Sequence, residues 1–176
     1  MNTTTKANYI NVDGQLMDLS IPKVMGIINL TADSFYDGGK IKSDKDLLSK
    51  VEKMMAEGVD ILDVGAYSSR PGAKDIPIQD ELSSAVNGIL AIKKEFEDTV
   101  ISIDSFRSEV AGAAIESGAS IINDISGGDL DEGMFDLLIK LNVPYIMMHM
   151  RGNPQTMSSL TEYDDLITEM IDHFQS

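Results

Sequence analysis

The 176-residue sequence has no cysteine, no tryptophan and only two histidines, and its 14 basic residues face 29 acidic ones. Without cysteine there is no disulfide framework and no thiolate metal site, a composition compatible with a reducing cytosol. The formal net charge of −15 argues against a nucleic-acid partner, because binding a phosphate backbone requires clustered Lys and Arg. No stretch approaches the roughly 18 consecutive apolar residues of a membrane span. The N-terminus MNTTTKANYI lacks the basic patch and apolar run of a signal peptide, so a cytoplasmic location without membrane attachment is expected. GxxxxGK[ST], HExxH and GxSxG are also missing, which removes the main support for NTPase, zinc-protease and serine-hydrolase readings.

What is present suffices for a packed core: 43% of the residues are apolar and 24% charged, close to the average for soluble globular chains. Alternating apolar positions around Asp13-Gly14 in YINVDGQLMDL predict a small hairpin, since Asp-Gly accepts the positive φ angles of a tight turn. A strand, loop and helix unit then recurs five times. The strands are expected at Val24–Asn29, Ile61–Val64, Val100–Asp104, Ser120–Asp124 and Tyr145–His149. The helices are expected at Asp44–Glu57, with Ser43 as N-cap and Gly58 as stop, and at Asp80–Phe96, Ser105–Ser117, Asp131–Leu141 and Glu162–Phe174.

Strands alternating with helices imply right-handed crossovers and a parallel sheet, either doubly wound or closed into a barrel. Polar residues decide between these. Asn29, Asp63, Asp104, Asn123 with Asp124, and His149 fall at or just after strand ends, and a barrel gathers all its strand C-termini around one mouth. The expected fold is therefore an α/β (β/α)8 TIM barrel preceded by the hairpin. A closed barrel needs eight strands and about 200 residues or more, so residues 1–176 are expected to form one barrel domain truncated at the C-terminus, with about five units present.

Several of these positions are candidates for chemistry. The first strand-top loop, NLTADSFYDGG, supplies an amide, a threonine, carboxylates and an aromatic; the second, SSRPGA, offers hydroxyls and Arg70, whose planar fork suits phosphate or carboxylate. Asp63 and Asp124 read as loop-organising groups. Asp104 reads as ligand-facing, because Ser105 can cap the next helix and free the carboxylate. Asn123, donor and acceptor at once, suits a heterocycle edge or a loop-organising role. His149 reads as a satisfied core group, and Met147 and Met148 as core and pocket wall.

MGIINLTADSFYDGG resembles the dihydropteroate synthase signature MGI(I/V)NVTPDSFSDGG, and DVGAYSSRPGA resembles its D-I-G-G-E-S-T-R-P-G-A. SIDSFRSEVAGAAIESGASIINDISGG and YIMMHMRGNPQTM resemble the stretches that follow, so that the likeness runs from Lys23 to Met157. The resemblance implies a folate-pathway transferase of the sulfonamide-target family, which condenses hydroxymethyl-dihydropterin pyrophosphate with p-aminobenzoate. It implies that Asn29 holds Mg²⁺ and the diphosphate, and that Asp104 and Asn123 hydrogen-bond the pterin between Ile125 and Met148. It further implies that Asp37, Ser69 and Arg70 close over the site, that Phe35 and Pro71 shape the p-aminobenzoate pocket, and that the full-length enzyme is a homodimer.

The chain departs from that pattern at Ala32, Tyr67 and Ser69, where the family has proline, glutamate and threonine; Ser69 keeps the hydroxyl. The family's pterin-binding aspartate after the sixth strand, its GFGK lysine and its R-x-H are not found in these 176 residues. Little or no activity is therefore expected of the isolated chain. The alternatives are a pterin-binding module without turnover, akin to the methyltetrahydrofolate-binding barrels of corrinoid methyltransferases, and a half-barrel that completes itself by self-association.

Overall fold

In a computed structural model, which describes residues 8–30, 43–68 and 75–175, a two-stranded hairpin precedes five consecutive strand–helix units. Strands β1 (Tyr9–Val12) and β2 (Gln15–Asp18) pair antiparallel. Asp13 and Gly14 between them both have positive φ, 51° and 79°, the primed turn that matches strand twist.

The remaining strands are β3 (Met25–Asn29), β4 (Ile61–Gly65), β5 (Val100–Asp104), β6 (Ile121–Asp124) and β7 (Tyr145–Met147). They form one parallel sheet in the order β3-β4-β5-β6-β7. A doubly wound sheet reverses its order at a switch point; this one advances by one neighbour each time, the winding of a (β/α) barrel. The helices are α1 (Asp44–Ala56), α2 (Ile78–Glu95), α3 (Ser108–Glu116), α4 (Gly133–Leu141) and α5 (Leu166–Gln175).

Parity along the strands separates two layers. Ile28, Leu62, Val64, Ile101, Ile103 and Ile122 face outward and pack against Leu47, Val51, Ile89, Val110 and Met134 of the helices, all buried. Each such side chain contributes about 1.5–3 kcal/mol through burial, so this layer carries most of the stability. At the N-terminal end of the strands, Val12 of the hairpin packs on Ile61 and Ile121, with Met25 and Val100 alongside. The hairpin thus plugs the bottom of the sheet, and the Ser120 hydroxyl donates to the Asp13 carboxylate across that junction.

The expected elements are all present, with shifted ends. Helix α1 has its cap at Ser43, whose side chain accepts from the Asp46 N–H. Helix α3 begins three residues later than expected, at Ser108 rather than Ser105, and β7 stops at Met147, two residues before His149.

Candidate active site

The strand register builds a polar row at the C-terminal edge of the sheet. Asn29 pairs with Gly65, Gly65 with Asp104, Asp104 with Asn123, and Asn123 with Ile146. Paired residues in a sheet face the same side, so three expected site residues, Asn29, Asp104 and Asn123, share the inner face at the mouth. Gly65 is the small member of the row, and the Asp104 carboxylate folds over it: a Cβ added there would lie 3.2 Å from Asp104 Oδ2. One rung lower, Asp63 pairs with Ile27 and Ser102, and its Oδ2 accepts from Asn123 Nδ2 at 3.1 Å.

Burial raises the Asp104 pKa to about 7, and the negative charges of Asp63, Glu81 and Asp124 add to the rise. Burial also raises that of Asp63, against the pull of Ser102 and Asn123. Among the described residues this polar row therefore offers acceptors and no cation of its own. Two carboxylate oxygens beside an amide, on adjacent strands, suit a planar heterocycle that presents neighbouring N–H groups.

Asp124 has the opposite parity and faces away from the mouth. Its oxygens accept from the N–H groups of Ser126 and Gly128, the Ser126 hydroxyl and the Tyr145 hydroxyl. It organises the loop after β6, as expected. Asp63 was expected to do the same, but it sits on the inner face and touches a candidate ligand residue instead.

The cap assigned to Ser105 is corrected. Ser105 Oγ donates to buried Glu81 of α2 at 2.6 Å and accepts from the Arg107 N–H, while the Ser108 N–H is met by Asp131 from the loop before α4. Asp104 nevertheless faces the mouth, because of its strand register rather than because Ser105 relieves it. Sequence reasoning also missed the ion-pair network behind this loop. Arg107 bonds Glu81 and Asp75, each at 2.9 Å, and the Ile76 carbonyl at 3.0 Å. The only sequence signal was an acid in the first turn of α2, which resembles ordinary dipole complementation.

Tyr67, where the family has glutamate, packs edge-on against Phe106 at 5.1 Å and lies under the Arg107 guanidinium at 5.2 Å. Its hydroxyl accepts from Gln155 Nε2 at 2.8 Å, which ties the base of the second loop to the loop after β7. These residues line a cleft of about 310 Å³ at the mouth. A larger one, about 540 Å³, lies between the hairpin and the end of α2, at the opposite end of the strands from the polar row.

Ile125 and Met148 each lie just past the end of a strand, β6 and β7; Ile125 is half-buried and Met148 is 39% exposed. His149 is half-buried beyond the strand, its ring 6.0 Å from that of Tyr163 and 5.0 Å from that of His173. Phe35, Asp37, Ser69, Arg70 and Pro71, with Ala32, lie outside the described residues.

Among the described residues no three His, Asp or Glu side chains gather to hold an ion. Asn29, half-buried at the mouth, offers one amide oxygen. That fits Mg²⁺ as a single protein ligand, since this ion keeps several waters and takes other ligands from substrate phosphates.

The model of a family described as pterin binding enzyme matches residues 25–176. A folic acid synthesis protein of Pneumocystis carinii is 47% identical over 148 residues, 84% of this chain and 20% of that protein. The dihydropteroate synthase of Escherichia coli is 39% identical over 161 residues, 92% of this chain and 56% of that protein. Among solved structures, the Yersinia pestis dihydropteroate synthase in a sulfonamide drug complex matches with a TM-score of 0.86 at 35% identity, covering 95% of this chain and 60% of that one. The Burkholderia cenocepacia dihydropteroate synthase complexed with 7,8-dihydropteroate gives 0.76 at 32% identity, with 94% and 55% covered. The chain thus spans less than two thirds of the length of each of these relatives.

Proposed function

We propose that this chain, which belongs to the pterin binding enzyme family, forms the pterin-recognising part of a dihydropteroate synthase. The observation that carries the reading is the row of Asn29, Asp104 and Asn123 on one face of the barrel mouth. Asp104 and Asn123 would grip the edge of the pterin, and Ile125 and Met148 would flank its ring.

The reaction asks the protein for position and charge rather than for a strong base. The C–O bond between the pterin methylene and the diphosphate breaks, and its electron pair leaves with pyrophosphate. The cation-like methylene is stabilised by the ring, the neutral amine of p-aminobenzoate forms the new C–N bond, and the extra proton passes to solvent. Holding the reactants in line supplies much of the acceleration.

The leaving diphosphate needs positive charge in an acidic surrounding. Arg107 is committed to Glu81 and Asp75, and Arg151 to Glu169 and the Glu162 carbonyl. Asp37, Ser69 and Arg70 would close over the site, and Phe35 and Pro71 would shape the arylamine pocket. Mg²⁺, held at Asn29, would neutralise charge on the diphosphate when bound. The reading includes a cytoplasmic, homodimeric full-length enzyme.

Titrating the purified chain with hydroxymethyl-dihydropterin pyrophosphate, with and without Mg²⁺, tests the proposal. Saturable binding that Mg²⁺ strengthens, with dihydropteroate formed slowly or not at all after p-aminobenzoate is added, is expected. Binding of the bare pterin that neither Mg²⁺ nor pyrophosphate alters would instead favour a pterin-binding module without turnover.

A further inference from the structure

Position 67, where the chain carries tyrosine instead of the family's glutamate, makes contacts to two other strand-top loops. The Tyr67 ring meets Phe106 edge-on at 5.1 Å and the Arg107 guanidinium at 5.2 Å, both in the loop after β5, and its hydroxyl accepts from Gln155 Nε2 at 2.8 Å in the loop after β7. Both supports are themselves held. The Arg107 side chain, 15% exposed, is bonded at 2.9 Å to fully buried Glu81. Gln155 stands on a turn in which Asn153 Oδ1 accepts from the N–H groups of Gln155 and Thr156, each at 3.1 Å, beside buried Pro154.

Arg107 also takes hold of the chain where it returns. Its guanidinium bonds the Asp75 carboxylate at 2.9 Å and the Ile76 carbonyl at 3.0 Å. Tyr67 and Asp75 stand on either side of Ser69, Arg70 and Pro71 in the sequence, so one arginine grips both ends of the second strand-top loop. Fixing both ends of a loop lowers the conformational freedom that must be given up when a side chain within it is placed. A glutamate at position 67 could accept from Gln155, but it has no ring to set against Phe106 and Arg107; tyrosine does both.

We propose that Tyr67 is a positioning residue: it fastens the base of the loop that carries Ser69 and Arg70 to Arg107 and to the loop after β7, and so strengthens the hold of Arg70 on a diphosphate. The inference rests on the reading of this mouth as the site of a reaction that releases pyrophosphate, with Arg70 closing over it. Tyr67 acts through the loop rather than on the diphosphate itself.

The test has two arms, both on the intact chain. In the first, hydrogen exchange is followed by mass spectrometry in the unmodified chain, in Tyr67→Phe, in Gln155→Leu and in the double variant. Losing either side of the hydrogen bond is expected to speed exchange about threefold, the scale of one exposed hydrogen bond, in two separate stretches, 75–81 and 153–157. Helix α1 (Asp44–Ala56) should be unaffected, and the double variant should match the single ones because the same bond is lost. Unchanged exchange in either stretch, or an equal increase throughout the chain, would overturn the proposal.

In the second arm, inorganic pyrophosphate with Mg²⁺ is titrated into the unmodified chain, Tyr67→Phe, Arg70→Ala and their double variant. Tyr67→Phe is expected to weaken binding about threefold where Arg70 is present and not at all where it is replaced, which is the coupling that a residue acting through Arg70 must show. An equal loss in both backgrounds would make Tyr67 a structural residue only and overturn the proposal, as would no loss in either. If pyrophosphate bound neither the unmodified chain nor the variants, or bound Arg70→Ala as tightly as the unmodified chain, the reading of the mouth would fail, while the first arm would still decide whether Tyr67 fastens the loop.

Discussion

The Asp104 carboxylate lies over the Cα of Gly65 on the neighbouring strand, so close that a Cβ at position 65 would meet Oδ2 at 3.2 Å and the Asp104 Cβ at 3.3 Å. The glycine is there for space. Gly65→Ala is expected to displace the carboxylate by a few tenths of an ångström and to weaken pterin binding about tenfold, equivalent to about 1.4 kcal/mol. The melting temperature should change little, because a strand tolerates alanine. Calorimetric titration alongside thermal melts checks both, and a large drop in stability with unchanged affinity would mean that Gly65 serves packing instead.

Asp104 also sets a pH dependence. Its folded pKa, about 7, lies above the ordinary value of 3.8, so ionisation is harder in the folded chain than in the unfolded one. The resulting penalty is absent below about pH 4, grows as pH rises to about 7, and is constant above; at full size it is on the order of a few kcal/mol. Asp104→Asn is therefore expected to raise the stability of the chain at pH 8 and to leave it nearly unchanged at pH 4. Ligand binding should run the other way, with affinity falling by up to about tenfold per pH unit below 7 as the acceptor is protonated. Urea melts and titrations across this range provide the measurement.

The Glu81–Arg107 pair makes a separate prediction about stability. Glu81 is fully buried, and burial pushes its pKa up while the Ser105 hydroxyl and the Arg107 guanidinium pull it down. Arg107→Ala leaves that acid without its cation and should cost about 3–5 kcal/mol, whereas the double variant Glu81→Leu with Arg107→Met should recover much of the loss. Denaturant unfolding of the single and double variants reads this directly.

Among the described residues β3 and β7 are the edge strands of the sheet, and its inner face carries exposed apolar side chains: Ile27 at 57% and Ile146 at 38%, with Met148 just beyond β7 at 39%. Unpaired strand edges beside exposed apolar surface favour association. Light scattering over a range of concentrations should find species heavier than one chain, and Ile27→Ser should shift them toward the monomer. A monomer at every concentration would contradict this.

Strand and helix periodicity made the fold legible, because the outer layer is built of isoleucine, valine and leucine at regular spacing. Strand Val100–Asp104 lies as expected. The start of α3 was not legible. Ser105 followed by a helical pattern is an ordinary capping signal, but its hydroxyl is taken by Glu81, 24 residues away, and the cap of Ser108 comes from Asp131. Both are tertiary contacts with no local trace. Asp63 and Asp124 looked alike in sequence, each in an apolar strand, yet the register places them on opposite faces. Parity along a strand separates them only once the pairing is known. The polar row itself was readable, because strand-end polar residues converge in any barrel.

The most direct measurement is calorimetric titration of hydroxymethyl-dihydropterin pyrophosphate into the chain and into its Asp104→Ala and Asn123→Ala variants, at pH 8 with Mg²⁺. One saturable site per chain, at least tenfold weaker in each folded variant, is the predicted result. No binding to the unmodified chain, or equal binding to all three, would contradict the assignment of this mouth as a pterin site.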